Sequence, residues 1–364
     1  MRVLVCCTHT DQITGYGKVA NALLTQMATV KDIELFHFGF QRHPTFRRQP
    51  IQGLTQFEAS SDDQGFDFKG LRKLYDLVKP DVVFIYNDPL VINRFMDVLP
   101  TDSRVWVYLD QVYRGIALSK IDKAEKVFVF SEAWRTKPTD LVLQHAPFIP
   151  SGRPKHLHDG KIFLNINRNS ERKRHDIVMQ AWALHAQAHP EDKLIVVTGC
   201  ARTTANFFDI GLIAQVEKLE PKNIQVIDTD SQALKDEEIT SLMAMADYGI
   251  NASDGEGCGL MNLDMAALGK PQIVHDIGSY RDFLTDADSV LIKPTIRTYM
   301  QNVGIGLFRE SALVSEWAAA FEEVKSKSAP NVDKNWRSVT EELRKLLKGG
   351  EAIGAIVGDN NETF

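Results

Sequence analysis

Residues 246–271 constrain the fold most. The apolar run Ala246-Asp247-Tyr248-Gly249-Ile250 has the length and composition of a short buried strand. Gly255, Gly257 and Gly259 follow at alternate positions, and they let the backbone turn tightly and approach a ligand closely. From Leu260 the apolar positions (Leu260, Leu263, Ala267, Leu268) take helical spacing, and Gly269-Lys270-Pro271 ends the pattern. A Gly-rich turn that feeds a helix N-terminus presents unpaired N–H groups to an anion. Glu256 sits in the turn, and Asp264 lies about one turn into the helix. On spacing alone, an anion-binding turn and a plain strand–turn–helix with a loop carboxylate fit equally well.

The same strand–helix alternation runs through the chain. Arg2–Cys7 reads as a core strand of a parallel sheet, where burial on both faces gives near-continuous apolar runs. Further strands are expected at 33–38, 81–86, 105–109, 126–130, 161–166, 194–199, 224–228 and 271–275. Helices are expected after Gly17 and at 71–78, 177–189, 235–245, 311–325 and 332–348. Residues 41–70 are polar with weak periodicity and read as a long connection with irregular strands; Asn87-Asp88-Pro89 reads as a turn. Residues 148–160 carry Pro150, Gly152, Pro154 and Gly160 and no periodicity, which marks a domain boundary. A chain of 364 residues has room for two domains of ordinary size. We expect domains over 1–150 and 151–330, a helix over 331–348 and a mobile tail over 349–364.

Composition excludes several classes. A net charge of −6 argues against general nucleic-acid affinity. No window approaches ~18–20 uninterrupted apolar residues, so no integral membrane span is expected. The N-terminus reads as a first strand and not as a signal peptide. Cys6, Cys7, Cys200 and Cys258 have no metal-ligand spacing and fit a reducing, cytoplasmic compartment. His156 and His158 lack a partner cluster for a metal.

The run Glu256-Gly257-Cys258-Gly259-Leu260, with Asp264 and Gly269-Lys270-Pro271, resembles the E-G-F-G-L…E-A…G-K-P signature of retaining GT-B glycosyltransferases of family 4 (glycosyl transferases group 1). Cys258 stands for the usual Phe and Asp264 for the second Glu. The resemblance implies that Glu256 approaches the donor sugar hydroxyls. It puts the Cys258, Gly259 and Leu260 amides on sugar and phosphates, Asp264 on the ribose, and Thr229 with Asp230 near the base. The run 167–176, N-R-N-S-E-R-K-R-H-D, is a solvated basic turn or a phosphate site. The family has an Arg just after this strand and a Lys five positions on, both on the pyrophosphate, which Arg168 and Lys173 match. Arg172 and Arg174 stay open for the same role. The wording N-R-N-x-x-R-K-R also resembles members encoded by large DNA viruses.

In the first half, Gly15-Tyr16-Gly17-Lys18-Val19-Ala20 formally matches G-x-G-x-x-A. The seven-residue loop before it, and the lack of an acid after the second strand, argue against a nicotinamide-dinucleotide site. The family has a Gly-rich loop at this place that closes over the diphosphate; a simple strand–helix loop fits as well. Asp110 and Gln111 follow a strand on the side where open sheets bind ligands, and are acceptor-side candidates; a helix N-cap explains Asp110 comparably. Many relatives have a His there. Gln144-His145-Ala146-Pro147 resembles the family's P-H-G segment. His43, Arg47 and Arg48 form a solvated loop or meet an anionic acceptor.

The fold so implied is α/β, GT-B: two Rossmann-like parallel-sheet domains facing a cleft, with a C-terminal helix crossing back to the first. The activity implied is a retaining hexosyltransferase that moves a hexose or related sugar from a GDP- or UDP-sugar to an acceptor hydroxyl on a glycan or glycoconjugate. Arg168, Lys173 and Glu256 are its catalytic candidates. No cofactor or metal is required on this reading, because the cations do that work. The D-x-D pairs Asp228/Asp230 and Asp286/Asp288 fall beside the base and past the donor loops, so neither reads as a metal site. A non-catalytic nucleotide-sugar-binding protein, an epimerase and a phosphorylase remain alternatives.

Overall fold

The structure, a computed structural model, describes residues 1–109, 120–148, 160–200, 206–232, 234–302 and 305–348. It divides into two compact units: Met1–Ala146 with the segment from Lys334 onward, and Pro147–Asp333.

The first unit runs β1 (Arg2–Thr8), α1 (Gly15–Met27), β2 (Glu34–Phe40), β3 (Leu54–Glu58), a single turn α2 (Asp62–Gly65), α3 (Phe68–Val78), β4 (Val82–Asn87), α4 (Pro89–Val98), β5 (Val105–Leu109), β6 (Lys126–Val129) and β7 (Leu141–Val142). Seven strands lie in the order β3-β2-β1-β4-β5-β6-β7, all parallel. The order reverses between β1 and β4, as in a doubly wound sheet. Val3 to Cys7 are fully buried, which accounts for their unbroken apolar run. Burial pushes both the Cys6 and Cys7 thiols up, so neither is reactive.

Local caps explain where these elements depart from expectation. Asp67 accepts the Gly70 amide at 3.0 Å and starts α3 three residues early. Asp88 accepts the Leu90 amide at 2.9 Å, and Pro89 occupies the first turn, where its missing N–H costs nothing. Asn87-Asp88-Pro89 therefore opens helix α4; the expected turn is a capping signal. The sequence also offers Ser131 as the cap of a helix after the strand at 126–130; it caps a short 3-10 turn, Glu132–Trp134.

The second unit repeats the plan: β8 (Ile162–Ile166), α5 (His175–Ala188), β9 (Lys193–Thr198), α6 (Ile210–Val216), β10 (Ile224–Asp228), α7 (Asp236–Met245), β11 (Tyr248–Asn251), α8 (Leu260–Ala267), β12 (Gln272–His275) and β13 (Val290–Ile292). Six parallel strands take the order β10-β9-β8-β11-β12-β13. Alternate residues of β8 serve opposite faces. Phe163 packs with Trp182 and Phe321, while Ile162 and Leu164 pack with Met243 and Met265. The hairpin β14 (Ile296–Asn302) and β15 (Ile305–Ser311) follows, then α9 (Val314–Glu323). β15 takes in Ser311, so the helix expected from that residue begins three residues later. The hairpin's exposed Arg297 and Glu310 pair across the strands, Nε to Oε1 at 2.9 Å, and Glu316 accepts the Leu313 amide at 2.7 Å to start α9 only there.

The chain ends, as described, in α10 (Trp336–Leu347), which returns to the first unit and packs on α1. Val339, Leu343 and Leu346 form its buried face. Arg344 and Lys348 in and after its last turn face Asp32, Arg344 at 3.9 Å. Two Rossmann-like sheets and a returning C-terminal helix are the architecture the sequence led us to expect. The tail beyond 348 lies outside the described residues. Among the described residues no helix is long and apolar enough to cross a membrane.

Candidate active site

In the second unit the strand order reverses between β8 and β11. Open α/β sheets bind ligands beyond the carboxyl ends of the strands at such a reversal. Two segments leave the sheet there, Asn167–Arg174 after β8 and Ala252–Gly259 after β11. They are bonded directly, the Asp254 amide donating to the Arg172 carbonyl at 2.8 Å.

Lys173 and Glu256 form an ion pair at this place, with side chains 11% and 6% exposed. The guanidinium of Arg172 lies 3.3 Å from the second carboxylate oxygen and also donates to Ser253 Oγ at 3.3 Å. Asn251 donates to Glu256 Oε1 at 3.2 Å. Burial alone would raise the Glu256 carboxyl. The Lys173 and Arg172 cations, with the Lys173 and Asn251 hydrogen bonds, outweigh it and hold the group at about 2. Burial and Arg172 draw the Lys173 ammonium below the usual lysine range, against the pull of Glu256. The result is an ionised carboxylate walled by cations in a nearly dry setting.

The neighbouring cations divide their partners. Arg174 adopts a left-handed backbone (φ 49°), which turns its guanidinium to Asp176 at 2.9 Å and Asp254 at 3.3 Å. Arg168 is exposed, and its side chain makes no hydrogen bond or ion pair among the described residues. Sequence spacing left Arg172 and Arg174 equivalent. The fold sends Arg172 to Glu256 and commits Arg174 to structural carboxylates.

A buried polar network braces Glu256 from behind. Asn251 donates to Asn262 Oδ1 at 2.8 Å and accepts from Asn167 at 3.2 Å and from the Ser253 amide at 3.1 Å. Tyr280 donates to Asn262 Oδ1 at 3.2 Å, and Asn262 donates to Gln272 at 2.7 Å. Satisfied buried networks of this kind fix one arrangement. Sequence reading singled out none of Asn251, Asn262 or Tyr280. The two asparagines were visible as polar breaks in apolar patterns; Tyr280 carried no signal.

Gly259 (φ 68°) turns the chain into α8, and no side chain caps that helix. A Cβ on Gly259 would stand 2.7 Å from the Tyr280 ring, so only glycine fits. Ser279 Oγ donates to the carbonyls of Gly257 at 2.9 Å and Cys258 at 3.0 Å, which steers these carbonyls to its side. The first-turn amides from Leu260 are then directed at whatever meets the helix end. Cys258 is buried, and Leu260 is half-buried. Asp264 is also buried, and its Oδ1 accepts the Phe148 amide at 2.7 Å. Thr229 is half-buried just after β10, its amide on the Thr198 carbonyl at 3.0 Å.

Both D-x-D pairs are engaged locally. Asp228 accepts the Cys200 and Asp230 amides at 2.9 and 3.0 Å; Asp288 accepts Thr285; Asp286 pairs with Arg281 at 2.9 Å. Among the described residues, neither pair belongs to a group of side chains that converge on one ion.

Several other sequence candidates lie in the first unit. Gly15, Tyr16 and Gly17 form the first turn of α1, where a loop was expected, because Thr14 caps the Gly17 amide at 3.4 Å. A Cβ on Gly17 would run into the Gln12 carbonyl. The Tyr16 ring lies 5.4 Å from that of Tyr86. Arg47 donates to the carbonyls of His43 and Pro44, so it shapes its own loop. The Arg48 amide donates to buried Asp11 at 2.8 Å, and Arg42 pairs with Asp11 at 2.9 Å. His145 is buried and stacked on Phe130 at 5.2 Å, and burial lowers it to about 3, so it is neutral. Asp110, Gln111, His156 and His158 lie outside the described residues.

The family model described as glycosyl transferases group 1 matches residues 150–301, the stretch that holds the Lys173–Glu256 pair and α8. No curated protein sequence matches the chain. Solved structures match along nearly its whole length. Sucrose-phosphate synthase from Thermosynechococcus elongatus superposes with a TM-score of 0.68 at 11% identity, over 96% of this chain and 98% of that one. A trehalose-6-phosphate protein from E. coli, bound with UDP-2-fluoro glucose, gives 0.63 at 11% identity, over 97% and 96%. A UDP-GlcNAc 2-epimerase from Methanocaldococcus jannaschii gives 0.59 at 11% identity, over 96% and 100%. The chain therefore has the GT-B fold, and the part of it that carries the candidate site matches the glycosyl transferases group 1.

Proposed function

We propose that this protein is a retaining hexosyltransferase that moves a sugar from a UDP- or GDP-sugar to a hydroxyl of a glycan or glycoconjugate. The observation that carries the reading is the buried Glu256 carboxylate, held by Lys173 and Arg172, four residues before Leu260 at the start of α8, which no side chain caps, and inside the matched stretch.

The reaction breaks an anomeric C–O bond and leaves a nucleoside diphosphate. Negative charge grows on the leaving phosphate, so cations and amides already in place stabilise the transition state. Arg168 and Lys173 take the phosphates, with Arg172 sharing the cationic role. The Cys258, Gly259 and Leu260 amides complete the anion site. Glu256, ionised, accepts hydrogen bonds from the sugar hydroxyls. Asp264 meets the ribose, and Thr229 the base. Gly15, Tyr16 and Gly17, on the diphosphate, and Asp110 and Gln111, on the acceptor side, are assigned by the resemblance only. The leaving phosphate takes the acceptor proton on the face it departs from. Configuration is retained without a side-chain nucleophile, and the cations make a metal unnecessary. Four free cysteines fit a reducing, cytoplasmic setting. The likeness of 167–174 to large-DNA-virus members belongs to the same reading.

The test is thermal stabilisation by a panel of nucleoside diphosphates and their sugar conjugates, with and without magnesium. A ligand at ~100 times its dissociation constant adds about 2.7 kcal/mol. A shift with one base, followed by an α-configured product from an α-donor, is the expected result. A folded sample that responds to none of them overturns the reading, and an epimerised sugar without transfer makes the protein an epimerase.

A further inference from the structure

A second cluster lies at the other end of α5. His185 and His189 are one helical turn apart, with the His189 amide bonded to the His185 carbonyl at 3.0 Å and their rings stacked at 4.6 Å. From Arg174 to His185 the helix rises roughly 15 Å, so the cluster is remote from Lys173. Glu322 on α9 faces both imidazoles. Its Oε1 is 2.9 Å from His189 Nε2 and 3.4 Å from His185 Nδ1.

The tautomer of His185 makes this arrangement informative. Asp192 Oδ2 lies 3.0 Å from His185 Nε2 and is buried. Asp192 Oδ1 accepts the Lys161 amide at 2.7 Å and Lys325 Nζ stands 3.0 Å from its Oδ2, so the carboxylate acts as an acceptor on both oxygens. His185 Nε2 therefore carries the proton, and Nδ1 presents a lone pair to the Glu322 carboxylate. Two lone pairs face each other at 3.4 Å. Lys325 Nζ, 2.8 Å from the same Oε1, is one cation at this place, and a metal ion is the alternative. Ligand atoms about 2.0–2.1 Å from a tetrahedral metal stand roughly 3.3 Å apart. The nitrogen and carboxylate atoms of His185, His189 and Glu322 all lie within 4.8 Å of one another.

We propose that His185, His189 and Glu322 form a binding site for a divalent transition-metal ion of the zinc class, joining the end of α5 to α9. Asp192 positions His185 from behind, as carboxylates behind metal-ligating histidines do. Two nitrogens and one oxygen suit zinc or cobalt and not magnesium. Lys325 Nζ, now 2.8 Å from Glu322 and 3.0 Å from Asp192, keeps Asp192 and gives up Glu322 when the metal enters. The site is independent of the donor reading, and the absence of a metal from the transfer chemistry is unaffected by it.

The experiment uses the tag-free full chain, stripped with chelator and titrated with Zn²⁺, with Co²⁺ as a visible probe and Mg²⁺ as control. We expect one equivalent of Zn²⁺ to raise the thermal midpoint by at least about 2 °C, and Co²⁺ to give the visible bands of a low-coordinate site. Both responses disappear in His189→Ala and in Glu322→Gln, whose side chains are partly exposed, so the fold survives; both persist in Lys173→Ala. No response in the wild-type chain overturns the site. So does a response that both variants retain.

Discussion

Lys173 and Glu256 stand 83 residues apart in sequence and close one buried ion pair at the reversal of the second sheet. Lys173→Ala removes the cation assigned to the leaving phosphate. Turnover should fall by at least ~10²-fold, the scale of deleting one preorganised donor to a developing anion. Steady-state rates on the donor identified by the binding panel check this. Near-normal turnover would remove Lys173 from the leaving-group site.

The same pair has a stability consequence. Removing one partner of a buried pair leaves the other charge uncompensated and costs about 3–5 kcal/mol. Glu256→Leu should therefore lower the urea midpoint strongly. The double variant Lys173→Met with Glu256→Leu should recover much of the loss while staying inactive. Equal losses in single and double variants would show that the charges are not coupled.

Acid should reveal Glu256 separately. Its carboxyl titrates at about 2 in the folded chain, against 4.5 for an ordinary glutamate. A depressed carboxyl adds stability that is complete above 4.5 and is lost as pH falls towards 2. The stability difference between wild type and Glu256→Gln should stay constant from pH 7 to 5 and shrink below that. Urea midpoints at a series of pH values measure it; a difference that is flat to pH 3 would contradict the assigned ionisation.

Two glycines in one turn should behave differently. Gly259→Ala puts a side chain into a left-handed backbone, about 1–2 kcal/mol, and against the Tyr280 ring. It should destabilise the unit and weaken nucleoside-diphosphate binding. At Gly255 an added Cβ meets nothing within 4 Å, so Gly255→Ala should stay within about 0.5 kcal/mol of wild type. Equal melting temperatures for the two variants would refute the distinction.

Much of this protein was legible from its residues in order. Strands buried on both faces must be near-continuous apolar runs, so β1, β5 and β9 fell where Arg2–Cys7, Val105–Leu109 and Leu194–Gly199 predicted them. The Gly-rich turn into α8 was equally plain, because a left-handed residue against Tyr280 admits only glycine. Helix starts were less legible. At Asp67 and Asp88 a polar residue reads as a loop until its side chain is seen on a backbone amide. The hairpin at 296–311 was missed because its residues show no strong alternation, and its pairing is cross-strand.

The sequence alone determined the doubly wound class and the two loops that leave the second sheet at its reversal. Only the tertiary structure decided which side chains meet there. Among Arg168, Arg172, Lys173 and Arg174, spacing along the chain could not rank four cations within seven residues. The ranking came from a left-handed Arg174, an inward Lys173 and a carboxylate delivered from the next strand. The Asn251 network and the His185–His189–Glu322 cluster have the same origin. Periodicity fixes a residue's place on its own element, whereas a pair depends on how distant elements converge, and that is set by packing.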